Sequence, residues 1–420
     1  MSALASPSFR LYVLGAFFAL NGLWIQRVTL AWLAWSLTGS AAWVGAVAGA
    51  LYAPTLLAGP VFGVLADRID LRRGALATQS LLALFTAALL ALWSAGALGP
   101  GGLFLSALAI GVVWSAHHPI RMALIPRLVP PEALAQAVAV GSINFNLSRM
   151  LGPALAGVLL AASGAEAALA ANLLCLAPFL LMLLILRVDA APRAAPSRAP
   201  FWRALGGDLR EGFGFALRHP TIRLAMLGTA AFALIARAPL EITAAIADGA
   251  FSAGARGLGE ATSAAGFGAL LAAAALARRR GSDPTALVRI GALSLAGAAA
   301  LGVILSATSA WPLALLLFAA MGFCASTAGV GFQSAVQLSI PDSHRGRVMS
   351  LWTLLGIGGA AVGAALLGLA GDLLGVRGAL AALGLGGLAA LSVATLARRF
   401  DAAPPPRQGA PASPRSGASD

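Results

Sequence analysis

The sequence predicts an all-α membrane protein, with twelve transmembrane helices arranged as two pseudo-symmetric bundles of six. Three observations predict it. Of 420 residues 59% are apolar and only 10% charged, against roughly 25% charged in a soluble domain, so a lipid bilayer is the solvent in which this chain folds. Cutting the chain at its polar clusters leaves twelve apolar stretches, each near the ~20 residues that cross a bilayer as a helix. The arginines, finally, collect on alternate connections between those stretches. The same composition excludes a disordered chain, a collagen-like fibre and, with two cysteines, a disulfide scaffold. All 28 basic residues are arginine, which removes the lysine of a phosphate-binding loop, of a Schiff base and of a general base.

The first stretch, 11–37, is too long for a signal-peptide core and has no small-residue cleavage site after it, so it stays as a helix. The second, 41–65, carries Gly59-Pro60 and the small-xxx-small pair Gly59 and Gly63, and the third covers 74–97. The fourth, 102–124, holds His117, His118 and Arg121. Near its inner end Arg121 is expected to snorkel to the headgroups. The histidine pair reads either as a hydrogen-bonded core pair or as a proton-titrating one. The fifth, 133–161, contains Asn144, Asn146, Ser148, Arg149 and a Gly152-Pro153 break, and the sixth covers 166–187.

A Pro/Ala/Arg-rich segment, DAAPRAAPSRAP, then opens a linker over 189–221. Within it Phe201, Leu205, Leu209 and Phe213 recur every four residues beside Arg203, Arg210 and Arg218. Such a helix either lies on anionic headgroups or packs beneath the bundle. The remaining stretches are 222–247, 258–277, 285–309, 312–338, 347–370 and 379–397. Residues 1–188 and 222–399 therefore form the two bundles, and the Pro/Ser/Ala-rich tail 400–420 is expected to be disordered.

With the N-terminus inside, 22 of the 28 arginines fall on cytoplasmic segments and only Arg256 and Arg377 on outer loops. The reverse orientation, or an odd helix count, does not accommodate that bias, so both termini are expected in the cytoplasm. The net charge of +13 is accounted for by topology. It forms no basic face with interleaved aromatics, so no nucleic-acid partner is expected. Cys175 and Cys324 sit in apolar stretches as small hydrophobes. A shift of about 210 relates the halves: Arg27 maps to Arg237 and Arg68 to Arg278 at 210, and Ile125-Pro126 to Ile340-Pro341 at 215.

Four arginines lie inside apolar stretches, Arg27, Arg121, Arg149 and Arg237, where each costs at least about 2.5–3.5 kcal/mol unless paired or wet. Arg27 and Arg237 stand about ten residues from a helix end, or ~15 Å deep. Glu241 is the one acid at comparable depth, four residues after Arg237 and on the same helical face. It reads either as a structural partner for Arg237 or as a proton carrier. Asn21, Gln26, Gln333 and Gln337 are further polar side chains at depth. Such groups either line a cavity or bond between helices. No Cys, His or acid cluster has metal-ligand spacing and no HExxH or GxSxG occurs, so no metal, cofactor or enzymatic chemistry is expected.

The segment GVLADRIDLRR, Gly63 to Arg73, resembles the cytoplasmic signature loop of the major facilitator superfamily, Gly-x-x-x-Asp-Arg-x-Gly-Arg-Arg. Gly63, Asp67 and Arg68 match in place, Asp70 replaces the second glycine, Leu71 stands at the first following basic position, and the basic pair arrives as Arg72 and Arg73. WIQRVTLAWLAWSLTGS, IPRLVPPEALAQAVAV, NLSRMLGPALAG, LREGFGFALRHPTIR and IPDSHRGRVMSLW are similar to the branch that includes enterobactin-exporter-like and macrolide-exporter-like proteins. The resemblance covers about Phe9 to Arg399.

It implies a monomeric carrier of the bacterial inner membrane that works by alternating access, commonly an exporter of amphipathic or anionic small molecules by proton exchange. A lysophospholipid- or lipid-moving carrier of the same superfamily is the alternative. Membrane lipid and protons are then the other partners. In a two-bundle carrier substrate sits at mid-depth between the halves. That makes Arg27, Gln26, Asn21, Asn144, Arg149, Arg237 and Gln333 the expected lining, with Glu241 the proton-coupling candidate. Gly63, Asp67, Arg68, Arg72 and Arg73 would form a clasp that breaks and re-forms as the carrier switches, through Asp67 at a helix end; the alternative is that Arg68, Arg72 and Arg73 only fix topology.

Overall fold

A computed structural model describes residues 3–66, 69–186, 201–279, 283–341 and 344–401. α1 (Pro7–Thr38) starts where Ser6 accepts a hydrogen bond from the Phe9 amide at 3.3 Å, with Pro7 at the first helical position, and stops at Gly39 in the left-handed region, φ 61°. α2 (Ala41–Ala66) follows at once. α3 (Leu71–Ser94) is capped by Asp70, whose carboxylate accepts from the Arg73 amide at 2.8 Å. α4 (Pro100–Leu124) and α5 (Leu134–Ile185) complete the N-terminal half.

α6 (Phe201–Arg218) lies in the linker. α7 (Pro220–Phe232) continues through π-helical Ala233–Arg237 into α8 (Ala238–Glu241) and a second π-helical segment, Ala245–Ala250. Then come α9 (Gly254–Ala277), α10 (Pro284–Ala307), α11 (Trp311–Ser339) and α12 (Arg345–Thr353). A π-helical turn, Leu354–Gly358, joins α12 to α13 (Gly359–Asp401).

Among the described residues nine helices are long and apolar enough to cross a membrane. Two of them, at 55 and 49 residues, exceed one crossing, and both are broken at a glycine: Gly164 at φ 76°, ψ −174° and Gly375 at φ 73°, ψ 153°. These backbone angles are closed to side-chain-bearing residues. The expected twelve segments are thus met approximately. Stretches five and six, and eleven and twelve, are arms of single kinked helices rather than helices joined by polar loops, and α2 is the remaining segment.

The apolar cores are distributed unequally along the molecule. Near the α1–α2 turn one cluster draws on both halves, with Leu33, Val44, Leu103 and Ala165 beside Ile246, Leu258, Leu317 and Leu380. At the other end each half keeps its own core, Phe9, Tyr12, Ile120 and Phe179 in one and Ile222, Met226, Phe332 and Val348 in the other. Glycines let the halves approach closely. A Cβ on Gly157 would stand 2.6 Å from Gly259 Cα, and one on Gly266 would stand 2.7 Å from the Arg149 carbonyl oxygen, so α5 and α9 touch backbone to backbone. α2 and α13 meet similarly, where a Cβ on Gly368 would lie 3.0 Å from Ala42 Cα.

Two expectations are modified. Arg121 does not snorkel: it is buried inside the N-terminal half with its Nε lacking an acceptor, under Tyr12, whose hydroxyl donates to the Arg121 carbonyl at 3.4 Å. The linker helix packs against the start of α12. Glu211 pairs with Arg347 at 2.5 Å and Phe215 stacks on His344 at 4.3 Å between centroids, while Phe213 and Leu217 are exposed. The side chains of 201–209 lie outside the described residues.

Candidate functional site

Between the halves three charged side chains converge on Tyr52. α2 buries this tyrosine at 7% exposure, and its hydroxyl meets groups from both halves. Arg27 Nη1 of α1 donates to it at 3.0 Å, Arg237 Nη2 donates at 3.1 Å, and the hydroxyl donates to Glu241 Oε1 at 2.8 Å. A phenol has one donor and two acceptor positions. All three are used here. Arg237 Nε also pairs with Glu241 Oε1 at 3.3 Å. The Arg27 and Arg237 guanidinium carbons lie 5.1 and 5.3 Å from the centre of the Tyr52 ring, within cation–π range.

Local sequence explains how Arg237 gets there. Pro239 has no amide hydrogen and its ring opposes the carbonyl four residues back. The chain responds with a wide turn over Ala233–Arg237, in which the Ala238 amide bonds back to the Ala233 carbonyl. Such a π-bulge changes the direction of the residues it carries. Gly359 and Gly363 of α13 make room for it, since a Cβ on Gly359 would stand 2.8 Å from Ala233 Cβ and one on Gly363 would stand 3.1 Å from Ala238 Cβ.

A third guanidinium lies beside the cluster. Arg149 of α5 stands 5.8 Å from the Trp24 ring centre, and Arg27 stands 5.1 Å from the same ring. Phe145 packs edge-to-face on Trp24 at 6.0 Å. Among the described residues Arg149 has no carboxylate partner and no hydrogen-bond acceptor for its side chain. Three cations therefore face one carboxylate in a partly dry space, an excess of two positive charges.

The other expected lining residues are engaged elsewhere. Asn21 donates to the Phe17 carbonyl at 2.8 Å and to Ser148 Oγ at 3.1 Å, Gln26 to Thr86 Oγ1 at 2.9 Å, and Asn144 to the Val13 carbonyl at 3.0 Å. These bonds tie α1 to α5 and α3. Gln333 is half-buried on α11. Of the expected clasp, Asp67 and Arg68 lie outside the described residues, Gly63 ends up in the last turns of α2, and Arg73 is exposed. Arg72 holds the end of α5, donating from Nε to the Leu183 carbonyl at 2.7 Å and from Nη2 to the Leu184 carbonyl. His117 is buried against Thr78 Oγ1 at 2.9 Å. No group of metal-binding side chains occurs among the described residues.

Tyr52 and Trp24 escape the sequence reading. An aromatic residue in an apolar stretch carries no visible signal, and only the rarity of tyrosine, two in the chain, sets Tyr52 apart.

The profile of transmembrane secretion effectors matches residues 1–408. The chain belongs to this family, a branch of the major facilitator superfamily. The enterobactin exporter EntS of Escherichia coli O1:K1 is 28% identical over 95% of this chain and 94% of that protein. The staphyloferrin A transporter of Staphylococcus aureus is 30% identical, over 44% of this chain and 47% of that protein. Among solved structures, a POT family transporter in complex with a thioalcohol-conjugated peptide superposes with TM-score 0.71 at 15% identity, covering 94% and 96% of the two chains. The nucleoside transporter NupG gives 0.71 at 14%, covering 93% and 98%. The secretion-effector chain is thus a multi-pass membrane transporter of this superfamily, and these relatives and structural neighbours are transporters rather than enzymes.

Proposed function

We propose that the protein is a secondary active exporter of amphipathic anions, siderophore-like in chemistry, that works by alternating access in exchange for protons across a bacterial inner membrane. The observation that carries this reading is the charge around Tyr52, where Arg27, Arg149 and Arg237 outnumber Glu241. Uncompensated guanidinium groups in a low-dielectric passage favour a ligand that brings negative charge. Trp24 and Phe145 beside them offer apolar, aromatic surface to the rest of such a ligand.

Two further observations support the reading. The relatives are named for enterobactin and staphyloferrin A. The halves share a core at one end and keep separate cores at the other, the arrangement of a carrier whose two bodies rock about a central site. Glu241 is the group suited to carry the proton, because protonation would release Arg237 and alter the charge that substrate meets.

Everted vesicles under an imposed pH gradient, offered matched anionic, cationic and lysophospholipid amphiphiles, test the proposal. Uphill movement of the anions is expected, with loss on Arg27→Ala combined with Arg237→Ala. A preference for cations or lysophospholipid, or transport unchanged in the double variant, overturns it.

A further inference from the structure

The three bonds to the Tyr52 hydroxyl have a consequence for how the site is occupied. Arg27 belongs to the N-terminal half and Arg237 to the C-terminal half, and both donate to one oxygen at 3.0 and 3.1 Å. Two guanidinium groups converging on a point form the geometry that receives an oxyanion. In this conformation that point is taken by a neutral phenol oxygen from α2. Its own hydrogen is turned away, toward Glu241 at 2.8 Å. The Tyr52 ring lies against both guanidinium groups, and one turn along α2 Leu56 packs on the π-helical turn before α13, where a Cβ on Gly358 would stand 3.0 Å from Leu56 Cδ1.

We infer that Tyr52 is a resident stand-in for the substrate oxyanion, and that substrate must displace it to bind. The inference rests on the reading of this cluster as an anion site and adds a coupling device to it. While the phenol occupies the convergence point, it ties the two halves together through Arg237 and Glu241, with Arg27 of its own half completing the set. When a substrate oxyanion takes both guanidinium groups, Tyr52 and Glu241 lose their common partner, Arg237, and the cross-half tie passes to the substrate. Binding of substrate and release of the Tyr52 tie are then one event, because one oxygen position serves both.

The inference makes an unusual prediction for Tyr52→Phe, which keeps the ring and deletes the oxygen. Removing a residue that contacts substrate, or one that merely packs, raises KM. Removing a competitor lowers it. The KM for whichever anion the vesicle assay transports is expected to fall about 3- to 10-fold, the scale of one lost hydrogen-bond competitor, while the steady uphill accumulation ratio also falls because the empty carrier is no longer tied shut. An unchanged or raised KM overturns the inference.

A second measurement needs no substrate. Spin labels at Ser36→Cys and Ser309→Cys, both exposed at the α1–α2 end, are introduced with Cys175 and Cys324 replaced by alanine. They report the separation of the halves. In the Tyr52→Phe protein a longer-distance population is expected to appear or grow without ligand. An unchanged distance distribution overturns the tie. Vesicles that move no anion at all would refute the proposed function instead, and the label distances would still judge Tyr52.

Discussion

Arg149 stands near four charged or polar groups that are already committed to one another, Arg27, Arg237, Glu241 and Tyr52. Arg237 is satisfied by Glu241 and Tyr52, and Arg27 by Tyr52, whereas Arg149 has only the face of Trp24. Holding a partly buried cation without a carboxylate partner lowers stability, and functional sites accept that loss for the sake of ligand binding. Arg149→Gln is therefore expected to raise thermal stability by about 1 kcal/mol while weakening anion transport. A melting curve in detergent, read beside the vesicle assay, checks both signs. Glu241→Gln should keep an acceptor for the Tyr52 hydroxyl yet uncouple transport from the pH gradient, seen as downhill flux without uphill accumulation.

These charged residues were legible in the sequence because a guanidinium or carboxylate inside an apolar stretch is conspicuous by its cost. Asn21, Gln26 and Asn144 were equally visible, but a polar residue does not announce which helix face it occupies. Their bonds to Phe17, Ser148, Thr86 and Val13 depend on how α1 is rotated against α5 and α3. Tyr52 was illegible for the opposite reason. Its type fits an apolar helix, and only the convergence of two distant arginines gives its oxygen a role.

At the level of elements, apolar stretches of the right length located the nine long apolar helices among the described residues. What they did not reveal was continuity. Gly164 and Gly375 bend the chain between crossings without a polar loop, so no break in hydropathy separates the arms. The two packing glycines of α5 and α9 and the two kink glycines act by different physics, which substitution separates. Nothing lies within 4 Å of a Cβ built on Gly164, yet φ is 76°, so Gly164→Ala is expected to cost about 1–3 kcal/mol through backbone strain alone. In Gly259→Ala the new Cβ would meet the Pro153 carbonyl oxygen at 2.8 Å and the Gly157 amide nitrogen at 2.9 Å. That change is expected to cost about 1–3 kcal/mol through overpacking and also to push the halves apart. Unfolding curves report the first effect in both variants, and the Ser36/Ser309 label distance moves only for Gly259→Ala.

Across the whole molecule, polar links reinforce the shared core at the α1–α2 end. Asp372 of α13 reaches into the other half, accepting from Ser40 Oγ at 2.5 Å and from the Ala41 and Ala42 amides at 2.7 and 3.4 Å. Trp35 Nε1 donates to Asp248 at 2.8 Å. Neither acid stood out in the sequence, because a carboxylate near a helix end is ordinary. Which end of a two-body carrier is shut depends on small free-energy differences between conformers, and residue patterns do not encode that choice visibly. Asp372→Ala should remove about 1 kcal/mol of cap energy, enough for a roughly fivefold shift toward separated halves. The same label pair measures it.

Because that carboxylate comes from the opposite half, the first turn of α2 is complete only while the two bodies are in contact. Parting them would leave the Ala41 and Ala42 amides facing water, ready to trade hydrogen for deuterium. Their exchange rates should therefore act as a clock built into the backbone, timing how long this end stays shut with no label attached.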